Sequence, residues 1–164
     1  MKRIQAKSVA LGGMMAALAL VIMCLGGLIP VATFVCPMLC MLILQFVAQI
    51  CGSRLGWAWY GAVAILSLLM GPDKEAAAVF AFLGFYPLVK PKLDTWKLGL
   101  VLKLLLFNGA IGLMYWVLIH LFGMAQVAAE YQELGMVMTA VMLALGNVVF
   151  FLLDRILSRF HIRK

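Results

Sequence analysis

The sequence predicts an all-α integral membrane protein: a six-transmembrane-helix bundle in one membrane domain, residues 1–164, with N and C termini cytoplasmic. Three observations carry that expectation. Apolar residues make up 66% of the 164 and charged residues only 12%, with a mean hydropathy of +1.13. Soluble domains run near half apolar and a quarter charged, and a chain this short could not hide the excess from water. The apolar residues also fall into six separate segments. Finally, the basic residues alternate between these segments in a way that fixes their orientation.

The segments are 9–25, 37–51, 57–70, 76–89, 98–122 and 135–153. A hydrocarbon core of about 30 Å takes about 20 helical residues to cross. Segments one, five and six reach that length readily. Segments two, three and four hold only 14 or 15 residues each, so flanking residues, tilt or local thinning must supply the rest. Met1–Lys2–Arg3 before an apolar run has the outline of a signal peptide. The run lacks a small-x-small cleavage site, and its removal would upset the charge alternation, so it reads as the first span.

With the N-terminus inside, the inner segments hold Lys2, Arg3, Lys7, Arg54, Lys90, Lys92, Lys97, Lys103, Arg155, Arg159, Arg163 and Lys164. Of the 13 basic residues only Lys74 falls outside. Shifting the span count by one would destroy this positive-inside bias. Trp57, Trp59 and Trp96 sit beside the inner basic groups, where interfacial aromatics belong. A re-entrant hairpin of segments three and four keeps the same parity. It would bring Asp73, Lys74 and Glu75 to membrane depth, at about 2.5–3.5 kcal/mol per charge.

The net charge of +7 does not point to nucleic acid, because the cations form short groups between apolar runs. Cys24, Cys36, Cys40 and Cys51 contain no C-x-x-C pair and read as small buried hydrophobes. Cys24 and Cys36 both fall near the outer surface, which leaves a disulfide open without any feature that requires it. Metalloprotease, nucleophile-elbow and phosphate-loop motifs are absent, so the sequence gives no enzyme constellation, no metal set and no cofactor. Asp94 and Asp154 lie among basic residues and read as snorkelling or capping groups. No span holds a carboxylate near its midplane, as proton-coupled carriers usually do.

Span one carries small residues in two series: Ala6, Ala10, Gly13 and Ala17, and beside them Gly12, Ala16 and Ala19. Such faces let helices approach closely, either within the protein's own bundle or against a partner. Polar residues inside the other spans are few: Gln45 and Gln49, then Asn108 and Tyr115 with Trp116 and His120 adjacent, then Thr139 and Asn147. Interhelical hydrogen bonding is their ordinary role. The outer loops are 26–37, 71–75 and 123–134, and they hold Asp73, Glu75, Glu130 and Glu133, four of the six acidic residues. This is either a solvated face or a binding mouth over spans five and six. In the loop at 71–75, Gly71 and Pro72 end span three, while Asp73 and Glu75 suit the first turn of span four.

The six spans, the inner termini and the stretch AKSVALGGMMAALAL together resemble the substrate-binding S components of energy-coupling factor (ECF) transporters. The resemblance implies a bacterial plasma-membrane subunit that captures a small vitamin-like molecule outside. It implies docking through Ala6, Ala10, Gly13 and Ala17 on a transmembrane coupling (T) subunit, with two ATPase subunits supplying energy. Asp73, Lys74, Asn108, Tyr115, Trp116, Glu130 and Asn147 are then the candidate substrate-binding residues. The main alternative is a ligand-free scaffold, similar to the MreD-like subunits of the rod-shape system.

Overall fold

The computed structural model describes residues 6–26, 32–95, 99–120 and 125–159, with the side chains of 32, 125–139 and 142 excepted. Every element in them is an α-helix: α1 (Ala6–Gly26), α2 (Ala32–Cys51), α3 (Ser53–Met70), α4 (Lys74–Leu83), α5 (Tyr86–Leu93), α6 (Gly99–His120) and α7 (Ala125–Arg159). Four stretches are long and apolar enough to cross a membrane: Ala6–Gly26, Thr33–Cys51, Lys74–Leu93 and Gly99–His120. An all-helical chain with four such stretches is consistent with a membrane protein.

The short segments gain their missing length from residues that hydropathy alone assigned elsewhere. Residues 32–36, expected in a loop, are the first turns of α2, and Pro37 lies inside that helix. Its missing N–H removes the bond that would go to the Thr33 carbonyl, a loss that membrane helices tolerate when neighbours re-satisfy the group. At its other end α3 begins at Ser53, one residue after Gly52 at φ 94°, a left-handed conformation that glycine adopts without strain. Segment four becomes α4 and α5, joined through Gly84 and Phe85, both with right-handed helical dihedrals. Pro87 near the start of α5 cannot donate to the Leu83 carbonyl, which accounts for the break at this point.

The last element departs furthest from expectation. Residues 125–134 were expected in an outer loop, but they belong to α7, which runs 35 residues without interruption. The stretch AQVAAEYQEL is polar yet rich in strong helix formers, so propensity extends the helix past the point where apolar character starts. At 1.5 Å per residue α7 is about 52 Å long, well beyond a hydrocarbon core of about 30 Å.

Two compact units divide these helices, α1 to α5 in the first and α6 with α7 in the second. In the first, α1, α2 and α3 pack on one another and α4 packs on α2 and α3. The centre of this unit is α4, where Ala76 to Phe80 are all buried. Three consecutive alanines leave little side chain around the axis, so neighbouring backbones come close, the usual basis of helix association in lipid. Around them Leu44, Val47, Val63, Phe80 and Tyr86 are fully buried. Gly56 shows how tight the packing is: a Cβ there would stand 3.0 Å from Leu88 Cδ2 and 3.1 Å from Ala48 Cβ. The Trp59 indole, 5% exposed, donates its N–H to the Gly12 carbonyl at 3.0 Å and ties α3 to α1.

The second unit is an antiparallel pair. Lys103 meets Asp154, Phe107 meets Phe150 and Asn108 meets Asn147, the numbers rising on α6 as they fall on α7. Phe107 and Phe150 stack at 4.7 Å between centroids, and the Phe107 ring covers Gly146, where a Cβ would sit 3.3 Å away.

Candidate functional site

The α3–α4 connection is built around Asp73. Gly71 leads out of α3 with its N–H bonded to the Ser67 carbonyl, and a Cβ on it would collide with that oxygen. Asp73 is the N-cap of α4: one carboxylate oxygen accepts from the Ala76 backbone N–H at 3.0 Å. The other accepts from the Thr33 hydroxyl in the first turn of α2 at 2.7 Å. One carboxylate therefore serves the N-terminal ends of two helices, where the positive pole of each dipole favours it. Glu75 adds a second acidic group to the first turn of α4.

Lys74 turns back instead of outward. Its ammonium donates to the Leu68 carbonyl at 2.8 Å and reaches the Leu69 carbonyl at 3.5 Å. Both belong to the last turn of α3, whose final carbonyls have no intrahelical partner. A cation at a helix C-terminus is favoured by the dipole as well. The lone outer lysine thus has a structural occupation, the capping of α3. No residue pattern signals it, because the partners are backbone atoms.

In the second unit the two candidate asparagines bind each other. Asn108 Nδ2 donates to Asn147 Oδ1 at 3.0 Å, and Asn147 Nδ2 donates to Asn108 Oδ1 at 3.1 Å. Each amide also donates to the carbonyl four residues earlier on its own helix, Leu104 and Leu143, at 2.8 Å. This reciprocal pair uses all four amide N–H groups. About two helical turns away the Lys103 ammonium bridges both oxygens of Asp154 at 3.1 and 3.2 Å, with both side chains mostly buried. Asp154 is therefore an interhelical ion-pair partner, and Asp94, the C-cap of α5, pairs with Lys90 at 3.2 Å. Neither Thr33 nor Lys103 stood out in the sequence, since spacings of 40 and 51 residues give no local signal.

Tyr115 is half-buried and Trp116 is exposed on α6. The Trp116 indole stacks on His120 at 5.3 Å, and His120 Nδ1 lies 3.1 Å from the Trp116 carbonyl, to which it can only donate. Of the remaining candidates, Glu130 and its neighbours Tyr131, Gln132 and Glu133 lie on α7 among side chains outside the described residues. Asp73 and Lys74 belong to the first unit, and Asn108, Tyr115, Trp116 and Asn147 to the second.

The two small-residue series of α1 separate cleanly. Gly12 and Ala19 are buried against the protein's own helices, with Ala16 half-buried. Ala6, Ala10, Gly13 and Ala17 are all exposed, and a Cβ built on Gly13 meets nothing within 4 Å. A recess between α1 and α3, lined by Leu20, Met23, Leu66, Ser67 and Met70, has a volume of about 70 Å³. That is well below the roughly 300–1,000 Å³ of small-molecule pockets. All four cysteines are free thiols. Among the described residues no three His, Cys, Asp or Glu side chains converge into a metal-ligand set. Comparison with protein-family models, with curated proteins and with solved structures found no match to this chain.

Proposed function

We propose that this protein crosses the membrane six times with both ends inside and serves as the substrate-binding subunit of an ECF-type importer. In this reading it takes up a small vitamin-like molecule at the outer face and docks on a transmembrane coupling subunit through α1. Two ATPase subunits on the coupling subunit supply the energy. The observation that carries the reading is the division of α1. One small-residue series is consumed by internal packing, while Ala6, Ala10, Gly13 and Ala17 stay exposed on a face flat enough for a second helix to approach. Gly13→Leu and Ala17→Leu fill that face without touching the interior. Both should abolish recovery of the coupling and ATPase subunits from gently solubilised membranes, with the variant itself as stable as the parent. Full recovery of those subunits with both leucines present would sink the docking role.

A ligand-free scaffold is the second reading, favoured by one specific finding. The polar groups first suspected of lining a mouth have protein partners: Asn108 and Asn147 saturate each other, and Asp73 and Lys74 complete helix ends. A thermal-shift panel of vitamins, nucleobases and amino acids separates the two readings. Stabilisation by any member supports the carrier. Silence across the panel, together with α1 leucines that still abolish partner recovery, supports the scaffold.

A further inference from the structure

One end of the first unit gathers cations that no carboxylate answers among the described residues. Helices α1 to α4 alternate in direction and α5 continues the course of α4, so the start of α1, the α2–α3 turn and the last turn of α5 share that end. The Cys51 thiol donates to the Ser8 carbonyl at 3.4 Å, and Gly12 and Gly56 lie against Leu55 and Leu88. Lys7, Arg54 and Lys92 are all exposed here. The only carboxylate at this end among the described residues is Asp94, and Lys90 engages it at 3.2 Å. Local folding does not call for Arg54 or Lys7 either. Each stands in the first turn of its helix, where the dipole disfavours a cation, and neither first turn holds an acidic residue. The opposite end differs, since its one lysine is spent on the α3 carbonyls.

Trp57 completes the arrangement. It follows Arg54 by three residues and so shares its face of α3, with its indole 45% exposed and held edge-on against Tyr60 at 6.1 Å. A guanidinium with an exposed indole one turn deeper matches a headgroup phosphate above the first methylenes of an acyl chain. We infer that Arg54 and Trp57, flanked by Lys7 and Lys92, form a binding site for an anionic phospholipid. The positive charge exceeds what the fold uses, and an anionic lipid is the partner that takes up charge and indole together. This site does not depend on the transport reading and stands if α1 docks nothing.

The test is native mass spectrometry of the full-length protein released from micelles doped with equal phosphatidylglycerol and phosphatidylcholine. Phosphatidylglycerol should be retained in clear preference. Each interfacial cation contributes about fivefold to an anionic surface, so the double variant Arg54→Gln with Lys92→Gln should lose about 25-fold of that preference. Arg54→Lys keeps the charge and should keep most of the binding, which separates lost affinity from a damaged fold. Lys74→Gln, at the other end, should leave the lipid preference unchanged, whatever it costs the end of α3. Equal retention of the two lipids by the parent, or undiminished preference in the double variant, overturns the proposal. Binding of an acidic peptide with no lipid preference also overturns it and reassigns the surface to a protein partner.

Discussion

Replacing Asn108 and Asn147 by leucine, singly and together, measures what the amide pair does. Leucine has the same four side-chain heavy atoms branched at Cγ as asparagine, so it can occupy the site beside Phe107 and Phe150 without leaving a cavity. Each single variant removes both interhelical hydrogen bonds, at 3.0 and 3.1 Å, and strands the partner amide's carbonyl oxygen. Interhelical hydrogen bonds in membrane proteins average about 0.6 kcal/mol and reach about 1.7. Two bonds therefore predict a loss of about 1 to 3 kcal/mol for either single change. The double variant strands nothing, so it should cost less than the sum of the singles by a coupling of the same size. Equilibrium unfolding in mixed detergent and SDS micelles gives all three values. Single effects that add to within about 0.3–0.5 kcal/mol would show that the amides do not act as a pair, and the structural role assigned to them would fall.

Two further changes probe the first unit. Asp73→Ala removes the N-cap of α4 and the Thr33 bond together, at about 1 kcal/mol for the cap and about 1.5 to 3 for the charged bond. Thr33→Val should reproduce only the second part in the same unfolding assay, and equal costs for the two variants would contradict the double role. Gly56→Ala must displace Leu88 or Ala48 and should destabilise by about 1 to 3 kcal/mol, measured the same way. A neutral result there would mean that α3, α2 and α5 are less tightly packed than described.

Helix existence was legible in the sequence because apolar runs leave little choice in a bilayer, where the backbone must bond to itself. Helix ends were not. Hydropathy falls at Ser53 and again before Leu134, yet helix propensity continues through SRLG and AEYQEL, so the helices outrun the apolar residues. Pro37 stood at the junction of the first outer loop and segment two, and it lies within a helix. The two faces of α1 were visible as spacing, but their compositions are nearly the same, and only packing decides that Gly12 is buried while Gly13 is exposed. The pairs Thr33–Asp73, Lys103–Asp154 and Asn108–Asn147 join residues 39 to 51 positions apart, and periodicity carries no information at that range.

The Asp73 carboxylate also acts as a gauge of height. Helices α2 and α4 are packed neighbours, and apolar side chains alone would let them slide along each other at modest cost. A displacement by one residue is about 1.5 Å, which lengthens and misaligns the 2.7 Å contact with Thr33. The oxygen on Ala76 cannot follow, because it is committed to the start of α4. A side chain two carbons long therefore sets the axial register of two helices, and through α4 it positions the alanine segment around which the first unit is assembled.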